Sequence, residues 1–230
     1  MSSLLQPQQR AKLDASSDRF FYEMPRFVTH VDDGFIQKLT ALYAKHLQPG
    51  SRILDLMSSW ISHLPELDFA WVEGHGMNAA ELAKNPRLNH YFVQNLNENQ
   101  ILPLEDNSFD AVLIAVSVQY LEYPEKIFAE LHRILKPGGR VIVSFSNRMF
   151  YQKAIAAWRD GSETQRVELV KRYFRAVQGF STPEVIAEQS DLPMMLQLLG
   201  LGGGDPFYAV MAERMESLVK GPVPESTPST

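Results

Sequence analysis

Strand and helix signals alternate along this chain, and the alternation restricts the fold more than any other feature of the sequence. The segment "FDAVLIAVSV" (residues 109–118) is almost wholly apolar, which is typical of a strand buried on both faces of a parallel sheet. Other short apolar runs are "RILDL", "FAWVEG", "HYFVQ" and "RVIVSFS". Segments with helical spacing separate several of them, as in "PEKIFAELHRILK" (residues 124–136), which "PGG" should end. This order predicts an α/β fold with a doubly wound, mostly parallel sheet.

Helix capping signals support the same arrangement. Asp32 and Asp33 can begin a helix that runs to about His46, and Asn78 can cap a helix in "NAAELAKNP". In a doubly wound sheet, ligands bind beyond the carboxyl ends of the strands, near the point where the strand order reverses. The candidate binding loops therefore follow Leu56, Gly74, Gln94, Val116 and Phe145.

Composition bounds the remaining possibilities. The chain has 230 residues, 45% of them hydrophobic, which suits one large α/β domain. Its formal net charge of −5 provides no general attraction for nucleic acid or for an anionic membrane. The absence of cysteine excludes disulfides and cysteine metal sites, and no metal site is predicted. No stretch approaches the roughly 20 apolar residues of a membrane helix, and no signal-peptide core is evident, so we expect a cytoplasmic protein.

A single domain over residues 1–220 is predicted. Residues 1–48 would form an N-terminal segment and helix, a candidate substrate cover, and residues 49–215 would form the core. The first 20 residues or so are polar and are expected to be loose. Residues 221–230, rich in Pro, Ser and Thr, are expected to form a disordered tail.

Residues 101–146 carry a recognisable pattern. The string "LPLEDNSFDAVLIAVSVQYLEYPEKIFAELHRILKPGGRVIVSFS" resembles the second half of class I S-adenosylmethionine-dependent methyltransferases, in which an "SFD" strand precedes a helix that ends in "LKPGG". The resemblance implies a Rossmann-like sheet of seven strands whose last strand is antiparallel. The segments "GFSTPEVIAEQ" and "DPFYAVMAER" would form its last two strands. It further implies S-adenosylmethionine as cofactor and methyl transfer to a small molecule as the reaction.

The resemblance also implies positions for a cofactor site. The loop after the first strand would approach the methionine part of the cofactor, the loop after the second its ribose, and the loop after the third its adenine. The end of the fourth strand would lie near the sulfonium. The matching residues are Asp55, Met57, Ser58, Ser59, Gly76, Asn95, Leu96, Val116 and Ser117.

Two of these loops depart from the family pattern. Met57, Ser59 and Ile61 stand where the family has three glycines, and Gly76 stands where it has the ribose-binding acid. A residue with a Cβ costs roughly 1–2 kcal/mol in the left-handed conformation that glycine adopts freely. We therefore expect the loop to follow a different path, with Ser58 and Ser59 offering backbone and hydroxyl donors to the cofactor. Pro65 suggests that the helix normally following this loop is cut short.

The substrate side is less defined by the sequence. His30, His63 and Arg148 are the candidate catalytic residues, because each lies near a predicted cavity mouth. Arg26 and Arg148 together favour an anionic substrate, since guanidinium pairs with carboxylate or phosphate. Two alternatives stay open because of the altered loop: a catalytically silent binding protein on the same fold, and an enzyme with another ligand or with chemistry other than methyl transfer.

Overall fold

The computed structural model describes residues 4–188 and 204–216. Its strands are β1 (Arg52–Leu56), β2 (Trp71–Gly76), β3 (His90–Val93), β4 (Phe109–Ala115), β5 (Leu135–Phe145), β6 (Glu184–Glu188) and β7 (Phe207–Glu213). Its helices are α1 (Pro7–Arg10), α2 (Asp18–Tyr22), α3 (Asp33–His46), α4 (Ala79–Leu82), α5 (Pro124–Ile134), α6 (Ala156–Arg159) and α7 (Glu163–Arg175). A short 3₁₀ turn covers Val118–Tyr120.

The seven strands form one sheet in the order β3-β2-β1-β4-β5-β7-β6. All pairings from β3 to β5 are parallel, whereas β7 is antiparallel to both β5 and β6. The predicted fold class, including an antiparallel last strand, is confirmed. Strand order reverses between β1 and β4, so the sheet opens its ligand crevice at the carboxyl ends of these two strands.

Apolar clusters cover both faces of the sheet. On one face, α5 and α7 pack against β4 and β5 through residues such as Phe128, Leu131 and Phe174. On the other face, α3 packs through Phe35, Leu39 and neighbouring residues. Burial on both faces explains why β4 is almost wholly apolar in sequence.

The "LKPGG" segment behaves differently from the prediction. Helix α5 ends at Ile134, and β5 begins at the next residue and runs through Pro137, Gly138 and Gly139 with a shift of register against β4. Gly138 has φ +78° and donates its N–H to the carbonyl of Arg214, just beyond β7. The segment expected only to end the helix therefore forms an irregular start of β5, because its backbone hydrogen-bonds to the neighbouring chain segment.

The connection from β1 to β2 contains no helix between residues 57 and 70, whereas Pro65 predicted only that the helix after this loop would be cut short. Leu64 and Pro65 are buried in this connection. The guanidinium of Arg87 donates to the carbonyl oxygens of Pro65 and Leu67 at 3.0 and 2.8 Å. These bonds satisfy carbonyls that a helix would otherwise pair within itself.

The prediction of a loose N-terminus is wrong for residues 4–20. Leu5 is fully buried, and the helices α1 and α2 lie within this segment. The ammonium group of the fully buried Lys153 donates to the carbonyl of Ser16 at 2.7 Å and lies 3.1 Å from a carboxylate oxygen of Asp14. This ion pair joins residues far apart in sequence, so the local composition does not reveal it.

The predicted tail (residues 221–230) and most of the apolar run "MMLQLLGLGGG" lie outside the described residues. Among the described residues, no helix has the length and apolar character needed to cross a membrane. The proposed domain limits stay a prediction.

Candidate active site

A cavity of about 280 Å³ lies at the carboxyl ends of β1, β2, β3 and β4, where the sheet topology places the ligand crevice. Helix α2 and the residues that follow it, up to Val31, form another wall of this cavity. Every site residue predicted from the sequence borders this cavity: His30, Asp55, Met57, Ser58, Ser59, His63, Gly76, Asn95, Leu96, Val116, Ser117 and Arg148. The fold therefore brings these residues together, while their individual binding and catalytic roles stay predictions.

The loop after β1 contains no glycine, but one of its residues has a backbone conformation that glycine favours. Met57 has φ +59°, a left-handed conformation that side chains with a Cβ rarely adopt, whereas Ser59 and Ile61 do not have positive φ. The expectation that the loop avoids the left-handed path is wrong at this first position. Met57 also packs against the buried core on one side of the sheet, and this contact helps to offset the backbone strain.

His75 and Gly76, at the end of β2, hold this loop. The N–H of Met57 donates to Nδ1 of His75 at 3.1 Å, and the N–H of Ser58 donates to the His75 carbonyl at 2.7 Å. A Cβ on Gly76 would lie 2.6 Å from the carbonyl oxygen of Ser58. The observed path of the loop therefore leaves no room for a side chain at position 76, where the resemblance places an acid.

The two serine hydroxyls are engaged within the protein. Ser58 Oγ donates to the carboxylate of Asp55 at 2.7 Å, and Ser59 Oγ donates to the carboxylate of Glu81 at 2.7 Å. This differs from the expectation that these hydroxyls donate to a cofactor. Burial raises the pKa of Asp55 to about 6, although the Ser58 bond acts in the opposite direction.

Asn95 shapes the turn after β3. Its side-chain oxygen accepts the N–H of Asn97 at 3.0 Å, and its side-chain nitrogen donates to Glu98 at 3.1 Å. These contacts establish the turn-forming role. An amide oxygen can accept two hydrogen bonds, so the predicted contact with an adenine amino group remains compatible with the geometry. The next residue, Leu96, is buried against the same cavity.

The end of β4 is strained. Val116 has φ +51°, an outlier for a β-branched residue, and its N–H donates to the carbonyl of Ser144 at 2.8 Å. The hydroxyl of the buried Ser117 has no hydrogen-bond partner among residues 4–188 and 204–216. Strained backbone beside an unpaired buried hydroxyl is typical of a ligand-binding position.

The three candidate catalytic residues differ in their surroundings. Burial lowers the pKa of His63 to about 4, so this imidazole is neutral at pH 7, and its Nδ1 has no partner within the described part of the chain. His30 lies at the mouth with its ring 5.2 Å from that of Phe150, and burial lowers its pKa as well. Arg148 is 63% exposed and donates to Asp205 at 2.7 Å, so its charge is already paired.

Sequence reasoning did not assign four residues that line the cavity: Asp18, Tyr22, Glu81 and Phe150. Asp18 and Tyr22 belong to the N-terminal segment that seemed too polar to pack. Glu81 follows the Asn78 cap in α4, and its carboxylate accepts the N–H of Arg26 at 2.7 Å as well as the Ser59 hydroxyl. In the sequence, the available signal for Glu81 was a carboxylate in the first turn of the helix that follows β2.

Comparisons with known proteins agree with this geometry. A family model described as a methyltransferase domain matches residues 74–143. A ubiquinone/menaquinone biosynthesis C-methyltransferase, UbiE, of Neisseria gonorrhoeae is 24% identical over 117 residues, which are 47% of this chain and 48% of that protein. The chain thus matches about half the length of this curated relative.

Solved structures share the fold. A methyltransferase from Mesorhizobium loti, described as S-adenosylmethionine dependent, aligns with a TM-score of 0.51 at 18% identity and covers 76% of this chain and 96% of its own. The phosphoethanolamine N-methyltransferase 2 of Haemonchus contortus, in complex with S-adenosyl-L-methionine, aligns with a TM-score of 0.53 at 18% identity. That alignment covers 78% of this chain and 53% of the other.

The strand order and the cavity at the switch point are those of a Rossmann-like sheet, and a methyltransferase family model matches residues 74–143 within it. The chain is therefore similar in fold, and over residues 74–143 in sequence, to S-adenosylmethionine-dependent methyltransferases.

Proposed function

We propose that this protein is an S-adenosylmethionine-dependent methyltransferase that acts on a small molecule. One observation carries the proposal: nine residues assigned to the cofactor from sequence come from four strand ends and border a single cavity. The family-model match supports the same activity.

The cavity residues fit the parts of S-adenosylmethionine. The Asp55 carboxylate would meet the cofactor's ammonium group, and a cation there would help this buried group to lose its proton. Glu81 would accept the ribose hydroxyls in place of an acid at position 76. Asn95 and Leu96 would meet the adenine, and the unpaired hydroxyl of Ser117 would lie near the sulfonium.

Methyl transfer from a sulfonium requires mainly that the acceptor atom and the methyl carbon are held in line and that water is excluded. Tyr22 and Phe150 line the cavity beside His30 and provide apolar walls for that purpose. His63 is a neutral imidazole at pH 7 and would accept a hydrogen bond from a protonated acceptor group. A direct base role requires contact with the acceptor in the bound complex.

Arg26 is the cation available to an anionic acceptor. Its guanidinium lies 4.3 Å from the ring centroid of Phe21 and donates to the carbonyl of Phe21, while Nη1 has no partner among the described residues. Arg148 is less suited, because Asp205 already neutralises it. The acceptors to test include aromatic acids and quinol-like rings, the latter because the Neisseria gonorrhoeae relative is named for that chemistry.

Calorimetric titration with S-adenosylmethionine and S-adenosylhomocysteine tests the proposal. We expect saturable binding of about −5 to −8 kcal/mol, which corresponds to micromolar to sub-millimolar affinity. Gly76→Ala should abolish this binding, because the added Cβ would displace the Ser58 carbonyl. Gly34→Ala, in the first turn of α3 where the nearest atom is 3.4 Å away, is the matched control and should bind normally.

Absence of saturation at millimolar cofactor would contradict the proposal and favour an enzyme with another ligand. Cofactor binding without release of S-adenosylhomocysteine for any tested acceptor would favour the catalytically silent alternative. The hydroxyls of Ser58 and Ser59 already donate to protein carboxylates, and this observation is the reason to test the catalytically silent alternative.

A further inference from the structure

One buried histidine in β2 links the two loops that follow β1 and β3 at the cavity. His75 is 1% exposed, and its ring lies 5.0 Å from the ring centroid of Phe92. Its Nδ1 faces the N–H of Met57 at 3.1 Å, after β1, and its Nε2 faces the carbonyl oxygen of Gln94 at 3.0 Å, after β3. The residue itself belongs to β2.

The two contacts determine the state of the imidazole. A backbone N–H can only donate, so Nδ1 must be unprotonated, and a backbone carbonyl can only accept, so Nε2 must carry the proton. Burial lowers the pKa of His75 to about 4, which keeps this single tautomer at neutral pH. The side chain therefore fits both partners without any rearrangement.

The Met57 contact lies at the most strained point of the glycine-free loop. Met57 has φ +59°, and the next N–H, that of Ser58, is bound by the carbonyl of His75. Side chain and backbone of one residue thus hold two successive peptide groups. In a glycine-containing loop, conformational freedom at this point would come from the missing Cβ. Here an external hydrogen-bond acceptor holds the turn instead.

We propose that His75 is a positioning residue that holds Met57 and Ser58 in the conformation that shapes the cofactor cavity. It replaces, by two hydrogen bonds from a neighbouring strand, the conformational freedom that glycine supplies in related loops. The part of this inference that concerns cofactor affinity rests on the proposed function. The part that concerns loop geometry does not.

Three substitutions separate the contacts of His75. His75→Asn keeps an acceptor near the position of Nδ1, and His75→Gln keeps a donor near the position of Nε2. His75→Phe removes both but preserves a ring of similar size. His132→Phe is the matched control, because His132 packs against Phe180 in a region that does not border the cavity.

The first readout uses no ligand. The chain has nine methionines, so ¹⁵N-methionine labelling gives a simple amide spectrum in which Met57 is assigned by its loss in Met57→Leu. We expect His75→Gln and His75→Phe to move the Met57 amide signal to a value typical of a solvent-exposed amide. His75→Asn and His132→Phe should leave it near its wild-type position.

The second readout is cofactor affinity by calorimetry. We expect His75→Phe and His75→Gln to weaken binding about tenfold or more, the effect of losing a buried hydrogen bond. His75→Asn should recover most of the wild-type affinity. Equal Met57 signals and equal affinities in the Asn and Gln variants would overturn the inference, as would wild-type affinity in His75→Phe.

The two readouts also separate this inference from the proposed function. If wild-type protein does not bind S-adenosylmethionine, the proposed function fails, and the Met57 amide signal alone decides whether His75 positions the loop. If the wild type binds S-adenosylmethionine but no substitution at His75 changes the Met57 amide signal, the inference fails and the proposed function stands.

Discussion

At the scale of single residues, the loop after β1 shows what a sequence pattern can and cannot reveal. The positions that border the cavity follow from the strand ends, because side chains at the carboxyl ends of parallel strands share one edge of the sheet. The conformation at Met57 does not follow, since it depends on a hydrogen bond to His75, which lies 18 residues away. The same limit applies to Gly76. The sequence shows only that an acidic residue is missing at this position, whereas the structure shows that the Ser58 carbonyl leaves no room for a side chain there.

Asp55 yields a prediction about pH. Burial raises its pKa from 3.8 to about 6, so between about pH 4 and 6 the folded state holds a proton that the unfolded chain has released. The free energy of unfolding therefore falls as the pH rises through this window, by about 3 kcal/mol for a shift of about two units. Asp55→Asn removes this dependence. At pH 7 the ligand-free variant should be more stable than the wild type by up to about 3 kcal/mol, and near pH 4 the two should converge.

Urea unfolding at pH 4, 5, 6 and 7 measures the difference between the two proteins. His63 and His75, whose pKa values burial lowers to about 4, oppose the trend because they stabilise the fold less as the pH falls. Both are present in both proteins, so their contributions cancel in the difference. Asp68→Asn, at an exposed loop position, is the matched control for the Asp-to-Asn substitution. A stability difference that is the same at pH 4 and pH 7 would contradict the assignment.

At the scale of secondary structure elements, the N-terminal segment is where sequence reasoning failed. Its polar residues suggested a loose chain, but Lys12 and Lys153 both bind the Asp18 carboxylate, at 2.7 and 3.5 Å. These ion pairs bring α2 onto the cavity, where Asp18 and Tyr22 form part of the wall. A polar segment that ion pairs hold in place has no local hydrophobic periodicity from which its structure could be predicted.

Lys153→Met tests how strongly this segment depends on its buried cation. In this variant Lys12 still pairs with Asp18, but the Ser16 carbonyl loses its donor and the Asp14 carboxylate loses its partner. The variant should therefore lose about 1–3 kcal/mol of unfolding free energy. The matched control is Lys38→Met, because the pair between Lys38 and Glu188 is 40% and 52% exposed. Such a surface pair contributes at most about 1 kcal/mol. Similar losses in the two variants, measured by denaturant unfolding, would show that the Lys153 cluster does not anchor the segment.

At the scale of the whole molecule, the sheet was predictable. All seven strands lie where apolar runs or the family pattern indicate, because a doubly buried strand needs a continuous apolar sequence and short Gly or Pro punctuation limits each run. The register shift at the start of β5 was not predictable, since it depends on pairing with residues near β7, about 75 residues further along the chain. The cavity follows from the topology, whereas its closure by α2 follows from ion pairs that only the folded structure reveals.

The central claim is that this cavity, with its glycine-free loop, binds S-adenosylmethionine. A crystal structure of the protein grown with S-adenosylhomocysteine tests it most directly. We predict density for the ligand between Asp55, Asn95 and Ser117, with Met57 still in its left-handed conformation and still bonded to His75. An empty cavity at a saturating ligand concentration, or ligand bound elsewhere on the protein, would contradict the claim.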